Sequence, residues 1–190
     1  TNRTAGLDGL PAQSFSYGTN DWLVTDAYDS NGNTLWSTNG GTATGPYYYN
    51  AEGRLTNYNN AVFLTYNGDG ARVRKTANGT NYFYLVDDRN LTGYAQVVEE
   101  LSGGAVQRVY TYGLNRISQG QVSGTSFYGY DGHGNVRLLT DGTGAVTDRY
   151  DYDAFGNVVG QAGSTENSYL FAGEQADSSL GLTYMRARYF

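Results

Sequence analysis

The chain has 190 residues, 18 acidic against 12 basic side chains, no cysteine and a formal net charge of −6. This fits one domain or a piece of something larger, excludes disulfides and thiolate metal sites, and offers no basic stripe to nucleic-acid phosphates. No apolar run is long enough for a membrane-spanning helix and no signal peptide opens the chain, while a start at Thr1 rather than Met fits a processed product or a fragment.

Aromatic residues make up 15% of the chain, mostly from 19 tyrosines, which is too much apolar ring surface for ordinary disorder. There are 27 glycines, and the two prolines are Pro11 and Pro46. Gly-rich, Pro-poor and Tyr-rich composition predicts many short strands joined by tight turns.

The turns are written out in chain order. Asp29-Ser-Asn-Gly32, Asn50-Ala-Glu-Gly53 and Asn67-Gly-Asp-Gly70 share one form, an acid or amide three residues before a glycine. Asp87-Asp-Arg-Asn90 puts Asn in the glycine place, where Asn best tolerates a left-handed backbone. A hairpin follows, Gln96–Leu101 and Val106–Tyr110 flanking Ser102-Gly103-Gly104, and Tyr110–Asn115 reads as a degenerate repeat. Asp131-Gly-His-Gly134, Asp141-Gly-Thr-Gly144 and Asp153-Ala-Phe-Gly156 return to the first form. The pattern predicts a type I turn whose acid or amide accepts backbone N–H groups and whose glycine takes positive φ as the return strand begins. Tyr28, Tyr49, Tyr66, Tyr130 and Tyr152 directly precede five of these corners, and cross-strand ring pairing is the expected use of the tyrosines. A period near 20 residues of strand, turn and strand is a repeat architecture.

No constellation of catalytic residues stands out. His133 is the sole histidine and reads as a turn residue between glycines. Asp131–Asn135 falls short of a calcium loop because Gly142 stands where the bidentate Glu belongs. Asp87 with Asp88, and Asp148 with Asp151 and Asp153, are conceivable paired carboxylates that strand-end capping explains as well. Arg186 and Arg188 alternate as on one face of a strand, placed to pair with strand-end acids or to clamp an anion. No catalytic, cofactor or metal residue is assigned. The site residues are the structural turn pairs Asp29/Gly32, Asn50/Gly53, Asn67/Gly70, Asp131/Gly134, Asp141/Gly144 and Asp153/Gly156.

The Tyr-Asp, two residues, Gly signature resembles the YD repeat of RHS proteins. Gly132–Gly156, Tyr169-Leu-Phe-Ala-Gly173 and Gly181–Tyr189 resemble the carboxy-terminal part of the RHS core. The resemblance implies an all-β fold: a repeat array of antiparallel β-hairpins forming a curled sheet, a segment of a YD-repeat β-shell or tube. Teneurin YD shells and the C components of insecticidal toxin complexes are of this kind. Residues 1–127 are expected to form YD-type repeats and 128–190 the core-associated repeats of one continuous unit. The implied function is a non-catalytic wall of an RHS-type shell around a toxin or other cargo. Open sheet edges, with few blocking prolines or lysines, admit as alternative a self-assembling extracellular filament or tube subunit. A Tyr-rich carbohydrate-binding or hydrolase domain is the third reading. Expected partners are copies of the chain or the rest of a shell, with possible toxin cargo and no nucleic acid. The expected address is secreted, extracellular or at a bacterial-type cell surface.

Overall fold

A computed structural model describes residues 3–5, 13–38 and 43–190; Pro11 lies outside them. The chain is all-β, and its contacts divide it into two units, Thr1–Ala61 and Val62–Phe190.

The first unit pairs three antiparallel hairpins: β1 (Arg3–Ala5) with β2 (Gln13–Phe15), β3 (Ala27–Tyr28) with β4 (Thr34–Trp36), and β5 (Tyr47–Tyr49) with β6 (Leu55–Tyr58). In the second unit ten strands follow one another as an antiparallel meander. They are β7 (Val62–Tyr66), β8 (Arg72–Ala77), β9 (Thr80–Asp87), β10 (Gln96–Ser102), β11 (Ala105–Tyr112), β12 (Arg116–Gln121), β13 (Gly124–Tyr130), β14 (Val136–Thr140), β15 (Val146–Tyr152) and β16 (Val158–Ala162). The chain then makes a short 3-10 turn at Phe171–Gly173 and a three-stranded sheet, β17 (Gln175–Asp177), β18 (Leu182–Met185) and β19 (Arg188–Tyr189).

The six corners share one hydrogen-bond pattern. The side-chain oxygen of the first residue accepts the backbone N–H of the fifth, from Asn33, Arg54, Ala71, Asn135, Ala145 and Asn157. At Asp29, Asn50, Asp131, Asp141 and Asp153 it accepts the N–H of the third residue as well. The glycine N–H donates to the carbonyl of the first residue, and all six glycines have φ between 73° and 89°. Three corners carry an additional bond: the Asn33, Asn135 and Asn157 amides donate to the second carboxylate oxygen of Asp29, Asp131 and Asp153. This bond holds the Asp29 and Asp131 carboxyls below their usual range, as the Thr143 hydroxyl does for Asp141.

The meander explains the spacing of the repeat. The corners at Asn67, Asp131 and Asp153 and the Gly113 turn fall at one edge of the sheet, because two strands separate each from the next same-side connection. Tight two-residue turns fill the opposite edge, at Asn78-Gly79 (φ 50° and 74°) and Gly103-Gly104 (φ 61° and 79°). Asn-Gly is the strongest short hairpin signal, and it marks Asn78-Gly79 directly. The Asp141 corner shares that edge, and Thr140 rather than a tyrosine precedes it.

Three of the tyrosines before corners, together with Tyr112 before the Gly113 turn, staple neighbouring repeats. The hydroxyls of Tyr49, Tyr112, Tyr130 and Tyr152 donate to the carbonyls of Thr34, Val97, Arg116 and Val136 at 2.7–3.0 Å. Each bond reaches back 14 to 16 residues to the start of the preceding return strand. Burial pushes the Tyr49 and Tyr130 phenols up to about 12, so both remain donors at neutral pH. The expected cross-strand ring pairing is present too, as in Tyr47–Tyr58 and Tyr184–Tyr189, beside this hydroxyl bond that ring chemistry alone does not indicate.

Two local expectations are corrected. Asn90 does not take the left-handed place. Its amide donates to the Asp87 and Tyr94 carbonyls, spanning a wider loop in which Gly93 has φ 71°. Arg186 is not on a strand face: at φ 56° it turns the chain between β18 and β19, leaving Arg188 alone within β19.

Candidate functional site

Alternation along the second unit's sheet is inverted relative to ordinary patterning. Phe63, Phe83, Leu85, Val109, Ile117 and Phe127 are exposed, while Arg72, Lys75, Glu100, Arg108, Arg116, Gln119 and Asp148 are buried. The inner face is polar because residues 164–190 cross it and meet its side chains with polar partners of their own. From β15 the path runs back toward β8. Asp148 accepts the Thr165 N–H at 2.9 Å, Gln119 donates to the Glu166 carbonyl at 3.1 Å, and the Tyr128 hydroxyl meets Asn167 Oδ1 at 3.1 Å. Val136 donates its N–H to the Leu170 carbonyl, and Ala172 donates to Asn135 Oδ1. The apolar share of this face is a small cluster of Val136, Leu139 and Tyr150, against which Tyr128, Tyr130, Tyr152 and Leu170 pack.

At the far end lies an ionic clamp. Asp177, 3% exposed, receives Arg72 Nη1 and Lys75 Nζ, each at 2.8 Å. Arg72 also donates to Gln175 Oε1 and the Tyr189 hydroxyl, and its guanidinium lies 4.5 Å from the Tyr184 ring and 4.8 Å from that of Tyr84. Next to it Glu100 accepts from Arg108, Tyr110 and Gln175, and Arg108 reaches on to Glu166. Buried charges are tolerable when paired and hydrogen-bonded, and here Asp177 and Glu100 each meet a cation, although the Arg108 Nε is buried without a hydrogen-bond partner among the described residues.

Arg116 is handled differently. Its guanidinium sits 3.1 Å from the Tyr169 ring centre, with Tyr110, Tyr112 and Tyr128 between 5.2 and 5.5 Å. It donates to the Tyr112 hydroxyl and the Gly173 carbonyl, and among the described residues it pairs with no carboxylate. It lines a cleft of about 320 Å³ at the corner edge of the sheet, bounded also by Tyr94, Tyr130, Gly173, Glu174 and Arg186. Glu174 pairs with Arg186 at 2.7 Å; burial raises its carboxyl above the ordinary value despite that arginine and Arg116.

The residues singled out from sequence lie apart from this convergence. The six corner pairs occupy separate hairpin tips; the Asp131 corner touches the crossing segment through Asn135 and through Gly134 at the cleft wall, and Gly156 of the Asp153 corner lies against the Phe171 ring. His133 is exposed and donates its backbone N–H to Asp131. Asp148, Asp151 and Asp153 do not form a pair: Asp148 is buried under Thr165, Asp151 pairs with Arg137, and Asp153 caps its corner. Asp87 accepts the Arg89 N–H. Among the described residues no cluster of three or more His, Cys, Asp or Glu side chains could hold a metal. Asp177, Gln175 and Glu174 carried no signal, being isolated polar residues in an unremarkable stretch.

No family profile matches the chain. It is 37% identical over 177 residues to the tRNA3(Ser)-specific nuclease WapA of Bacillus spizizenii and to the tRNA(Glu)-specific nuclease WapA of Bacillus subtilis subsp. natto, covering 86% of this chain. The tRNA nuclease WapA of Bacillus subtilis is 37% identical over 181 residues. The chain spans 7% of the length of these relatives. Among solved structures, the TcdB2–TccC3 crystal structure superposes with a TM-score of 0.60 at 17% identity, covering 86% of this chain and 9% of that one. The TcdB2–TccC3–Cdc42 structure reaches 0.66 at 17% identity, covering 95% and 10%. These likenesses support an RHS-related chain. Among the described residues no helix is long and apolar enough to cross a membrane.

The relatives correct three expectations. A non-catalytic wall or self-assembling subunit, no enzyme, and no nucleic-acid partner all conflict with relatives named as tRNA nucleases. The physical reason is one of extent. The charge and site inventory of 190 residues cannot speak for proteins of which it matches 7%.

Proposed function

We propose that this chain works as part of a tRNA nuclease, in which it supplies an all-β YD-type repeat segment and holds residues 164–190 across that segment's polar face. The observation that carries this reading is the 37% identity over 177 residues to proteins named tRNA nucleases. Two equally similar relatives are named for different tRNAs, which favours a stretch that does not itself choose the tRNA. The tyrosine staples before three corners and before the Gly113 turn support the YD assignment, and the six corner pairs serve as structural positions that set the hairpin spacing. We take residues 128–190 as the core-associated part, and the protein as secreted or displayed at a cell surface. Incubating the polypeptide that carries this sequence with total bacterial tRNA, followed by denaturing electrophoresis, tests the reading. Loss of one or a few full-length tRNA species supports it; an intact pool beside folded protein contradicts it.

A further inference from the structure

The cleft at the corner edge contains a guanidinium whose charge is not neutralised. Arg116 is 9% exposed, and no carboxylate among the described residues pairs with it. Desolvating a cation without an ion pair is costly, and ring faces compensate only in part. Arg186 and Glu174 at the cleft wall cancel each other, so the three groups leave one positive charge. Two non-glycine residues of the wall, Ala172 and Arg186, hold left-handed backbones at φ 54° and 56°. Such strain persists where surroundings enforce it, often at binding sites. Tyr94, 64% exposed, stands at the cleft with its ring 5.2 Å from the Arg186 guanidinium.

We propose that this cleft binds one nucleotide unit of single-stranded RNA, its phosphodiester held by Arg116 and Arg186 and its base stacked on Tyr94. The inference rests on the tRNA nuclease reading. A phosphodiester carries the one negative charge that the three groups call for, and the guanidinium fork matches its two free oxygens. About 320 Å³ suits a single small ligand rather than a duplex. Stacking on a tyrosine tolerates any base, which agrees with a stretch shared by relatives named for different tRNAs.

Fluorescence anisotropy of a labelled uridine hexamer against the whole chain tests this. Saturable binding is expected, with log K falling against log salt at a slope of about −0.7, the value for one phosphate on a single strand. Arg186→Gln should weaken binding roughly tenfold, and Tyr94→Ala at least about fivefold, with circular dichroism unchanged. Arg116 is avoided as a variant because its loss threatens folding. No saturation at millimolar RNA, equal binding by Arg186→Gln, or displacement of the hexamer by acetate but not by the dinucleotide UpU would each overturn the proposal. Cleavage of tRNA by the longer polypeptide without hexamer binding would sink this proposal and leave the nuclease reading standing.

Discussion

Arg72 and Asp177 are 105 residues apart in sequence and joined by a 2.8 Å ion pair in which each side chain is 1% exposed. Removing one partner of such a pair leaves the other charged and buried, which costs about 3–5 kcal/mol. Arg72→Met is therefore expected to lower the unfolding free energy by about that amount in a urea titration, because Asp177 loses its Arg72 partner on Oδ2 and keeps Lys75 and the Ser179 N–H on Oδ1 alone. A change within about 0.5 kcal/mol, the range of ordinary surface substitutions, would show that the pair is not formed in solution.

Gly144 and Gly156 separate backbone strain from steric conflict. Both hold left-handed backbones, at φ 86° and 89°. A Cβ at Gly144 meets nothing within 4 Å, whereas one at Gly156 lies 2.6 Å from the Phe171 ring. Gly144→Ala should cost about 1–2 kcal/mol from conformation alone, and Gly156→Ala at least about 2 kcal/mol, because Phe171 must leave its contact with Tyr152. Melting temperatures in the same buffer give the order; equal losses would contradict the close approach.

The corners were legible because their chemistry is local: acid, glycine and accepting N–H groups lie within five residues. Asp131 and Gly134 need no information from elsewhere in the chain. The clamp was illegible for the opposite reason. Arg72, Arg74 and Lys75 look like one basic surface cluster, yet the strand buries Arg72 and Lys75 and exposes Arg74. Nothing near Asp177 announces that it will receive them. Likewise the exposed Phe83 and Leu85 look like core residues, and only the arrival of residues 164–190 on the other face makes Arg108 and Asp148 the buried side. Patterning tells that a strand has two faces, and the packing partner decides which is inside.

Tyr152→Phe isolates one staple. The Tyr152 hydroxyl donates to the carbonyl of fully buried Val136 at 2.7 Å. Its removal leaves a buried acceptor without that donor and should cost about 1–3 kcal/mol while keeping the ring packed. Hydrogen exchange should quicken across β14 and β15 and not across β8 and β9; uniform change would point to global destabilisation instead.

Acid should weaken the fold through its aspartates. Burial would raise Asp148, but hydrogen bonds from Thr165 and Thr147 outweigh it and leave the carboxyl below its ordinary value. Asp29, Asp131, Asp141 and Asp153 are lowered as well. For a lowered carboxyl the stabilisation is present above the unfolded value, about 3.9, and is lost as pH falls through the folded one. Glu174 works in the other direction: its raised value means that stability declines as pH rises from the ordinary glutamate range through the folded one. Melting temperature against pH should therefore fall steeply on the acid side, and Asp148→Asn should flatten that limb. Glu174→Gln should remove the decline just above the ordinary glutamate range; an unchanged profile would contradict the burial of its carboxyl.

Sequencing of tRNA ends after exposure to the polypeptide that carries this chain is the most direct measurement. Breaks at one position in one or a few tRNA species, absent with heat-denatured protein, are the predicted result. Full-length reads for every tRNA in the presence of natively folded protein would contradict it.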